Sequence, residues 1–299
     1  MQVQTQRIIL KQFSRIRLDI RREDLIHPTI SGNKFRKLKY NLQEAKNIGV
    51  TSVLTFGGAY SNHILATAYA GKVFGLDTIG VIRGQELETK LKANPTLSLA
   101  KRMGMRLHFI SRAEYSQKDS IEFLERLKER YNAPYVIPEG GTNILAVRGC
   151  EEILETTDKD YNYICCSVGT GGTIAGLINS AQPQQTVLGF SSLKGQGLRE
   201  DISKFVTSKN WDLNFDYHFG GYAKINEDLI AFINAFKSEF KIPLDPVYTG
   251  KMMFGIMDLI TRNYFPDNAK ILAIHTGGLQ GIMGMNQRLK RLNKPQINV

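Results

Sequence analysis

Cysteine is scarce in this 299-residue chain, which has three in all. The number is odd, and Cys165 and Cys166 are neighbours in an apolar segment. A disulfide framework or a zinc site built from thiolates needs paired cysteines at recurring spacings. We therefore expect three buried and unreactive thiols.

Long apolar runs and a leader segment are also missing. No run approaches the ~18 apolar residues of a membrane-spanning helix, and the start of the chain, MQVQTQR, lacks the charged-then-apolar order of a signal peptide. We therefore expect a cytoplasmic protein that does not enter a membrane. With 42% hydrophobic and 22% charged residues, the composition is typical of a folded chain with a substantial core.

Several catalytic motifs are absent as well. The five histidines show neither H-E-x-x-H nor another paired spacing of metal ligands, so we predict no protein-bound metal. No G-x-S-x-G elbow occurs, which disfavours a serine hydrolase. A Walker A loop for nucleotide phosphates is missing too.

Positive charge is present in excess, with a net charge of +11 at neutral pH. Nucleic-acid binding needs clustered Lys and Arg, interleaved with aromatic residues where single strands are bound. Here the basic residues are scattered among acidic and apolar ones, so we predict no nucleic-acid partner. Attraction of an anionic small molecule remains open.

Apolar, β-branched runs alternate with stretches of helical period, which predicts an α/β protein with mainly parallel sheets. Strands are predicted at residues 52–56, 78–82, 106–110, 135–137, 163–167, 186–190 and 270–274. Helices are predicted at residues 33–47, 62–74, 94–103, 120–130 and 225–240. The first four strands would form one small open sheet and the others a second. Ligands of such sheets lie beyond the carboxyl ends of strands, which points to the loops that open at Gly57, Gly169 and Thr276.

Lys34 is the most informative residue, because it stands at the start of a predicted helix just after Gly32 and close to Arg36 and Lys37. A lysine held rigidly and crowded by two other cations has a lowered pKa and becomes a nucleophile. Lys34 is therefore a candidate Schiff-base lysine. The alternative for this residue alone is a solvated side chain.

Two strand-to-helix loops have the composition of anion sites. In GGAYSNH, at residues 57–63, Ser61 or Asn62 is either a simple N-cap or part of a carboxylate site at the helix start. In SVGTGGT, at residues 167–173, backbone N–H groups would close around a phosphate, unless the loop is only a tight turn. A dinucleotide fingerprint fails there, since Ile174 stands where a glycine is needed and no acid follows the next strand.

Three further residues indicate catalysis only when they are considered together with the other motifs. Taken alone, Tyr248 and Tyr222 are more typical of half-buried core tyrosines than of acids. His275, at the end of a predicted strand, is more typical of a hydrogen-bonded core histidine than of a ligand. Their neighbours in sequence are glycines and hydroxyl residues.

Five motifs occur in a fixed order along the chain. They are GNKFRKL at residues 32–38, GGAYSNH at 57–63, GTGGT at 169–173, DPVYTGK at 245–251 and HTGG at 275–278. Together they resemble the 1-aminocyclopropane-1-carboxylate deaminase and D-cysteine desulfhydrase family, in order and approximate spacing. The resemblance implies a pyridoxal phosphate enzyme of the tryptophan synthase β-like fold, which is fold type II. It also implies a large cofactor-binding domain of residues 1–36 and 141–299 and a small domain of residues 37–140.

The resemblance implies a role for each matched residue. Lys34 would form the Schiff base with the cofactor, and Asn62 would bond its ring 3′-oxygen. The phosphate would be surrounded by Lys37, Gly169, Thr170, Gly171, Gly172 and Thr173. Ser61, the amide of Asn62 and His63 would take the substrate carboxylate, and Tyr222 and Tyr248 match the family's two active-site tyrosines. Tyr60 stands where family members usually have Gln.

Two positions bear on the substrate. Deaminases of the family carry Glu and Leu where this chain has Thr249 and Thr276, and the two threonines are the desulfhydrase pattern. A glutamate would keep the pyridine nitrogen protonated, whereas a threonine leaves a weaker electron sink that suffices for a good leaving group such as thiolate. We therefore expect α,β-elimination from a small amino acid by a homodimer, with D-cysteine giving pyruvate, hydrogen sulfide and ammonia. The alternatives are deamination of 1-aminocyclopropane-1-carboxylate to 2-oxobutyrate, a nucleotide-binding oxidoreductase, and a non-catalytic binding protein.

Overall fold

Two separate sheets organise the chain in the computed structural model, which describes residues 3–27, 30, 32–195 and 197–298. The smaller sheet contains β3 (Ser52–Gly57), β4 (Asp77–Arg83), β5 (Arg106–Ile110) and β6 (Tyr135–Ile137). Its strands are all parallel, in the order β5-β4-β3-β6. These are the four strands predicted to form the small sheet, and that prediction is confirmed.

The larger sheet has six strands within the described residues. They are β1 (Thr5–Ile8), β2 (Arg17–Arg21), β7 (Tyr163–Val168), β8 (Thr186–Ser191), β9 (Trp211–Asn214) and β10 (Lys270–Ile274), in the order β1-β2-β10-β7-β8-β9. Only β1 runs antiparallel to its neighbour. The sequence prediction contained β7, β8 and β10 and missed β1, β2 and β9.

Helices connect and cover the strands. They are α1 (Asn33–Asn47), α2 (Asn62–Phe74), α3 (Pro95–Arg102), α4 (Arg112–Tyr115), α5 (Ile121–Arg130), α6 (Ile144–Glu151), α7 (Gly172–Ser180), α8 (Leu198–Ser203), α9 (Glu227–Phe240), α10 (Thr249–Thr261) and α11 (Gly281–Arg291). The five predicted helices are confirmed. In three of them the prediction started slightly early because Asn94, Ser120 and Asn226 are N-caps, whose side chains accept a backbone N–H from three residues further on.

The larger sheet separates two apolar cores, because successive residues of a strand point to opposite faces. On β7, Cys165 belongs to one core, while Ile164 and Cys166 belong to the other together with Cys150. All three cysteines are free and buried, as predicted. Burial raises the pKa of Cys150 to about 11 and raises those of Cys165 and Cys166 as well, so the thiols stay protonated.

The sheets correspond to the two segments that the sequence assigns to separate domains. The borders at residues 36/37 and 140/141 stay predictions, and residues 1, 2, 28, 29, 31, 196 and 299 lie outside the described part. Within the described part, each helix is too short or too polar to span a bilayer.

The start of α1 is pressed against the loop that follows β10. Gly32, the N-cap residue of α1, has φ +65° and ψ −149°, a conformation essentially restricted to glycine. The Asn33 N–H donates to the Thr276 carbonyl at 3.2 Å, and a Cβ on Gly32 would lie 1.9 Å from that same oxygen. This close approach sets Lys34 beside the carboxyl end of the larger sheet.

We expect Gly32→Ala to lower the free energy of unfolding by about 3 kcal/mol or more, because backbone strain and a main-chain overlap add. Gly49→Ala is the matched control, since Gly49 has φ +75° but nothing within 4 Å of a new Cβ. The control substitution should cost about 1 kcal/mol. Urea unfolding of the two variants measures the difference, and equal losses would contradict the role given to this contact.

Candidate active site

A cavity of about 610 Å³ lies where the carboxyl ends of strands from both sheets meet. Its lining includes residues that follow β3, β7 and β10, together with the starts of α1, α2 and α7. The three loops that the sequence analysis selected therefore converge on one space.

Most of the predicted site residues line this cavity. They are Lys34, Lys37, Ser61, Asn62, His63, Gly169, Thr170, Gly171, Thr173, Tyr222, Tyr248 and Thr276. Two other predicted residues, Gly172 and Thr249, do not line the cavity. Gly172 begins α7, where a Cβ would lie 3.1 Å from Lys37 Nζ, and Thr249 begins α10.

The amine of Lys34 is set up as a nucleophile mainly by burial. Burial, and next the charge of Lys37, lower the pKa of Lys34 to about 7. Arg36, which the sequence analysis counted as a crowding cation, instead points to Glu23 and bonds its carboxylate at 2.9 and 3.0 Å. One neighbouring cation, rather than two, therefore adds to the effect of desolvation.

Lys37 links the loop after β6 to the loop after β7. Its Nζ donates to the Gly140 carbonyl and to Thr142 Oγ1, each at 2.9 Å, and lies 3.4 Å from Thr170 Oγ1. Burial lowers the pKa of Lys37. A buried cation beside the N-terminus of a helix is a setting that favours a bound anion.

The start of α2 is both capped and open to an anion. Ser61 Oγ accepts the Ile64 N–H at 3.2 Å, which leaves the hydroxyl proton free to donate. The N–H groups of Asn62 and His63, in the first turn, find no backbone acceptor within the described residues. Both interpretations of this loop from the sequence therefore hold at once.

The ring of His63 has a fixed tautomer. Its Nε2 lies 2.8 Å from Thr55 Oγ1, and the single Thr55 proton goes to the Ile137 carbonyl at 2.8 Å. Nε2 must therefore carry the proton, which leaves Nδ1 a buried acceptor with no partner among the described residues. Burial and the nearby lysines hold the pKa of His63 well below its usual range.

This tautomer changes the part that His63 can play. With Nε2–H bonded to Thr55 and Nδ1 unprotonated, the ring cannot donate to a carboxylate at neutral pH. Only the main-chain N–H of His63 is available for the predicted contact.

The two threonines that bear on the substrate have different surroundings. Thr249 Oγ1 donates to Asp245 Oδ2 at 2.7 Å and accepts the Asp245 N–H at 2.9 Å, so it closes the start of α10. Thr276 does line the cavity, with its Oγ1 3.1 Å from Ser167 Oγ. Only Thr276 can therefore present its hydroxyl directly to a bound molecule.

Tyr222 and Tyr248 meet edge to face, with ring centroids 6.3 Å apart. Burial raises the pKa of both hydroxyls, and that of Tyr248 lies well above its usual range. Both are therefore proton donors at neutral pH. A Cβ on Gly169 would lie 3.1 Å from the Tyr248 ring, so this glycine lets the loop after β7 reach the tyrosine.

His275 lies outside the cavity and is fully hydrogen-bonded, as its interpretation as a core histidine predicts. Nε2 lies 2.7 Å from the Pro243 carbonyl, and Nδ1 accepts the Gly277 N–H at 3.2 Å.

Lys251 is a structural member of the site that sequence reasoning missed, although it ends the DPVYTGK motif. Its buried Nζ donates to the carbonyls of His218 and Gly221 at 2.8 and 2.9 Å. These bonds hold the loop that carries Tyr222, in which Phe219 and Ala223 have positive φ without being glycine. Burial lowers the pKa of Lys251 to about 8.

The donor set of the cavity fits pyridoxal phosphate. An amine that is partly unprotonated at neutral pH suits a covalent bond to an aldehyde carbon, and the glycine loop with Lys37 suits a phosphate. In addition, the buried Asn62 Oδ1 and His63 Nδ1 have no hydrogen-bond partner among the described residues, which indicates a polar occupant. No cluster of three His, Cys, Asp or Glu side chains in the described chain could hold a metal ion.

The fold and this site define a cofactor-binding enzyme with two mainly parallel sheets and, between them, a half-buried lysine whose pKa is lowered. Residues 5–277 match the family described as pyridoxal-phosphate dependent enzyme, and the chain belongs to that family. The predictions of the cofactor, of the enzyme class and of the fold type are thereby confirmed. The dinucleotide oxidoreductase alternative is set aside.

Curated relatives carry both activities of the resembled family in their names. A Pyrococcus horikoshii protein provisionally named 1-aminocyclopropane-1-carboxylate deaminase is 35% identical, over 91% of this chain and 88% of its own length. A mitochondrial Arabidopsis thaliana protein is named as bifunctional D-cysteine desulfhydrase and 1-aminocyclopropane-1-carboxylate deaminase. It is 32% identical, over 88% of this chain and 72% of its own length. A Klebsiella pneumoniae D-cysteine desulfhydrase is 30% identical, over 90% and 89%.

A solved structure supports the same relationship. The crystal structure of a homologue of 1-aminocyclopropane-1-carboxylate deaminase superposes with a TM-score of 0.84 at 30% identity, over 98% of this chain and 94% of that one. The predicted resemblance is confirmed, while the names of the relatives leave the substrate of this chain undecided.

We expect Lys34→Met to stabilise the cofactor-free protein most at or below pH 7. The unfolded chain keeps the Lys34 proton up to its ordinary pKa of 10.5, whereas the folded protein loses it near 7. The free-energy cost of burying the protonated Lys34 amine is therefore paid in full below pH 7. This cost falls as the pH rises and is gone at about pH 10.5. Urea unfolding of both proteins at pH 6.5, 8 and 9.5 measures the gain, and a gain independent of pH would contradict the lowered pKa.

We expect Lys251→Met to loosen the loop of residues 218–223, because two buried carbonyls lose their donor. The loss of about 1.4 kcal/mol or more of local stability corresponds to at least about tenfold faster amide exchange in this loop. Exposed Lys72, on α2, provides the control variant Lys72→Met. Hydrogen exchange measured by mass spectrometry would contradict this role of Lys251 if it showed the same protection of the loop in both variants.

Proposed function

We propose that this protein is a lyase that removes a β-substituent from a small amino acid by α,β-elimination, with D-cysteine giving pyruvate, hydrogen sulfide and ammonia. The observation that carries the proposal is the Lys34 amine, whose pKa is lowered to about 7 beside the open N–H groups of α2. A base for the α-proton and a site for the α-carboxylate are then neighbours in one cavity.

The residues that would hold pyridoxal phosphate follow from the donor set. Lys34 would hold it covalently, Lys37 and the loop from Gly169 to Thr173 would hold the phosphate, and Asn62 would bond the ring oxygen. The chemistry that the cofactor supplies when bound is an electron sink for the negative charge left at the substrate α-carbon.

The start of α2 would orient the substrate. Its carboxylate would accept hydrogen bonds from the Ser61 hydroxyl and from the N–H groups of Asn62 and His63. The positive end of the helix would support this binding. Three donors on one rigid helix start would fix the α-carbon relative to Lys34 Nζ.

Protons would move between groups whose protonation states suit the task. Lys34 Nζ, unprotonated in a substantial fraction near pH 7, would accept the α-proton. Tyr222 and Tyr248, which stay protonated, would donate to the departing group.

The choice of D-cysteine rests on the neutral groups at positions 249 and 276. The nearby Asp245 carboxylate is fully engaged by the N–H groups of Val247, Tyr248 and Thr249 and by the Thr249 hydroxyl. A site without a free acid there favours a good leaving group such as thiolate over the opening of a cyclopropane ring. Deamination of 1-aminocyclopropane-1-carboxylate is the second candidate, because relatives carry that name.

We expect the purified, cofactor-loaded protein to release sulfide and pyruvate from D-cysteine. L-cysteine, D-serine and 1-aminocyclopropane-1-carboxylate are tested in parallel, with 2-oxobutyrate as the product of the last. Lys34→Ala should lower turnover by about 10²–10⁴-fold and remove the visible absorption of the bound cofactor. Production of 2-oxobutyrate without sulfide from D-cysteine would reverse the order of the two candidates.

We further propose that the protein works as a homodimer in the cytoplasm. Light scattering of the purified protein and cell fractionation test these two points, and neither enters the arguments above.

A further inference from the structure

The outer part of the cavity carries three arginines that the proposed reaction does not use. Arg83 ends β4, and Arg288 and Arg291 lie on α11; all three side chains are exposed and line the cavity. We call these three residues the arginine rim.

The positive charge of the arginine rim is not neutralised by the protein. No carboxylate among the described residues lies within ion-pair distance of these guanidinium groups. The two carboxylates that line the cavity are engaged elsewhere, since Glu139 lies 3.6 Å from Lys118 Nζ and Asp245 bonds the start of α10. The three guanidinium charges therefore attract anions to the outer cavity, and its low-dielectric walls focus that potential.

Local contacts hold two of the rim arginines in place. Arg288 Nη1 donates to the Ala223 carbonyl at 3.1 Å, next to Tyr222. The Arg83 guanidinium stacks over the Tyr115 ring at 5.6 Å, and a Cβ on Gly58 would lie 3.5 Å from its Nη2. Arg83 thus lies against the loop that leads to Ser61.

The loop of Ser61 is also joined to α11. A Cβ on Gly284 would lie 2.6 Å from the Tyr60 ring, so the ring packs directly on the helix backbone. Gly284, Arg288 and Arg291 follow at helical spacing and line the same cavity. Residues of the rim therefore flank the proposed carboxylate site on two sides, from β4 and from α11.

We propose that the arginine rim is a subsite for an anionic β-substituent, so that the proposed lyase also accepts amino acids with a phosphate or sulfonate group on the β-carbon. The inference rests on the proposed function, because the rim acts on a substrate held at the start of α2. Arginine suits this task, since its planar donors match the oxygens of phosphate and sulfonate.

The reaction needs no further reactant than water. From O-phosphoserine, the α-proton passes to Lys34 Nζ, and the Cβ–O bond breaks with its electron pair leaving on phosphate. The resulting enamine of the amino acid takes up a proton at its β-carbon, and one water molecule hydrolyses the imine to pyruvate and ammonia. No atom is oxidised or reduced by an outside reagent.

Binding to the cofactor-loaded protein tests the subsite without turnover. The probe is 2-amino-3-phosphonopropionate in both enantiomers, whose C–P bond is not a leaving bond, and alanine is the reference without the anionic group. We expect at least about tenfold tighter calorimetric binding of one phosphonate enantiomer than of the matching alanine. Added salt should weaken the phosphonate more than alanine.

Charge-removing variants locate the effect. Arg291→Gln and Arg83→Gln should each weaken phosphonate binding by about three- to tenfold and leave alanine binding unchanged. Lys290→Gln is the matched control, because Lys290 is exposed on the same helix and does not line the cavity. If all three variants bind the phosphonate like the parent protein, or if phosphonate and alanine bind alike, the subsite is refuted.

Turnover separates this inference from the proposed function. Release of phosphate and pyruvate from O-phosphoserine, faster than release of pyruvate from serine, supports both. Arginine-dependent phosphonate binding without elimination from any tested amino acid supports the subsite and refutes the lyase. Sulfide release from D-cysteine combined with arginine-independent phosphonate binding supports the lyase and refutes the subsite.

Discussion

The contact between Gly32 and the Thr276 carbonyl is the constraint on which the site depends. It joins the start of α1 to the loop after β10, so the element that carries Lys34 begins on the larger sheet and then runs toward the smaller one. Asn33 adds a second link, because its Nδ2 donates to Thr173 Oγ1 at 2.7 Å, at the start of α7. Lys37, one turn further, bonds the loop after β6. A single helix start thereby brings three loops together, and the cavity is the space they leave between them.

The chemistry of this space comes from desolvation more than from specific charge pairs. Burial favours the neutral form of every titratable group, so it lowers the pKa of Lys34 and His63 and raises those of Tyr222 and Tyr248. The result is a partly unprotonated amine and a neutral imidazole as acceptors beside two protonated hydroxyls as donors. Strong ion pairs, such as Arg36 with Glu23, are kept behind the wall, where they orient the helix without neutralising the site.

Much of the fold could be predicted because most of the parallel strands are apolar, β-branched runs. β2 was not predicted because its charged residues Arg17, Asp19 and Arg21 alternate with apolar ones. Their partners become visible only in the folded chain, where Arg21 pairs with Asp158 at 2.7 Å. In the site, motif order located Lys34, the start of α2 and the loop after β7. The sequence could not show that Arg36 bonds Glu23, that Thr249 bonds Asp245, or that His63 carries its proton on Nε2, since each depends on how the side chains are oriented in the folded chain. Lys251 and the arginine rim are single residues without a pattern of their own.

The inner and outer parts of the cavity bear on different aspects of function, the reaction and the choice of substrate. The inner residues match the family motifs, and on the proposed function they would activate an amino acid at its α-carbon. The outer part is built from α11, from Arg83 and from Tyr60, which replaces the usual Gln of the resembled family and packs on Gly284. Because the Tyr60 ring joins the loop of Ser61 to α11, a substrate bound at Ser61 as proposed would have its side chain close to α11 and the arginine rim. Family membership therefore constrains the cofactor, whereas on the proposed function the charge and shape of the outer cavity would select the β-substituent that leaves.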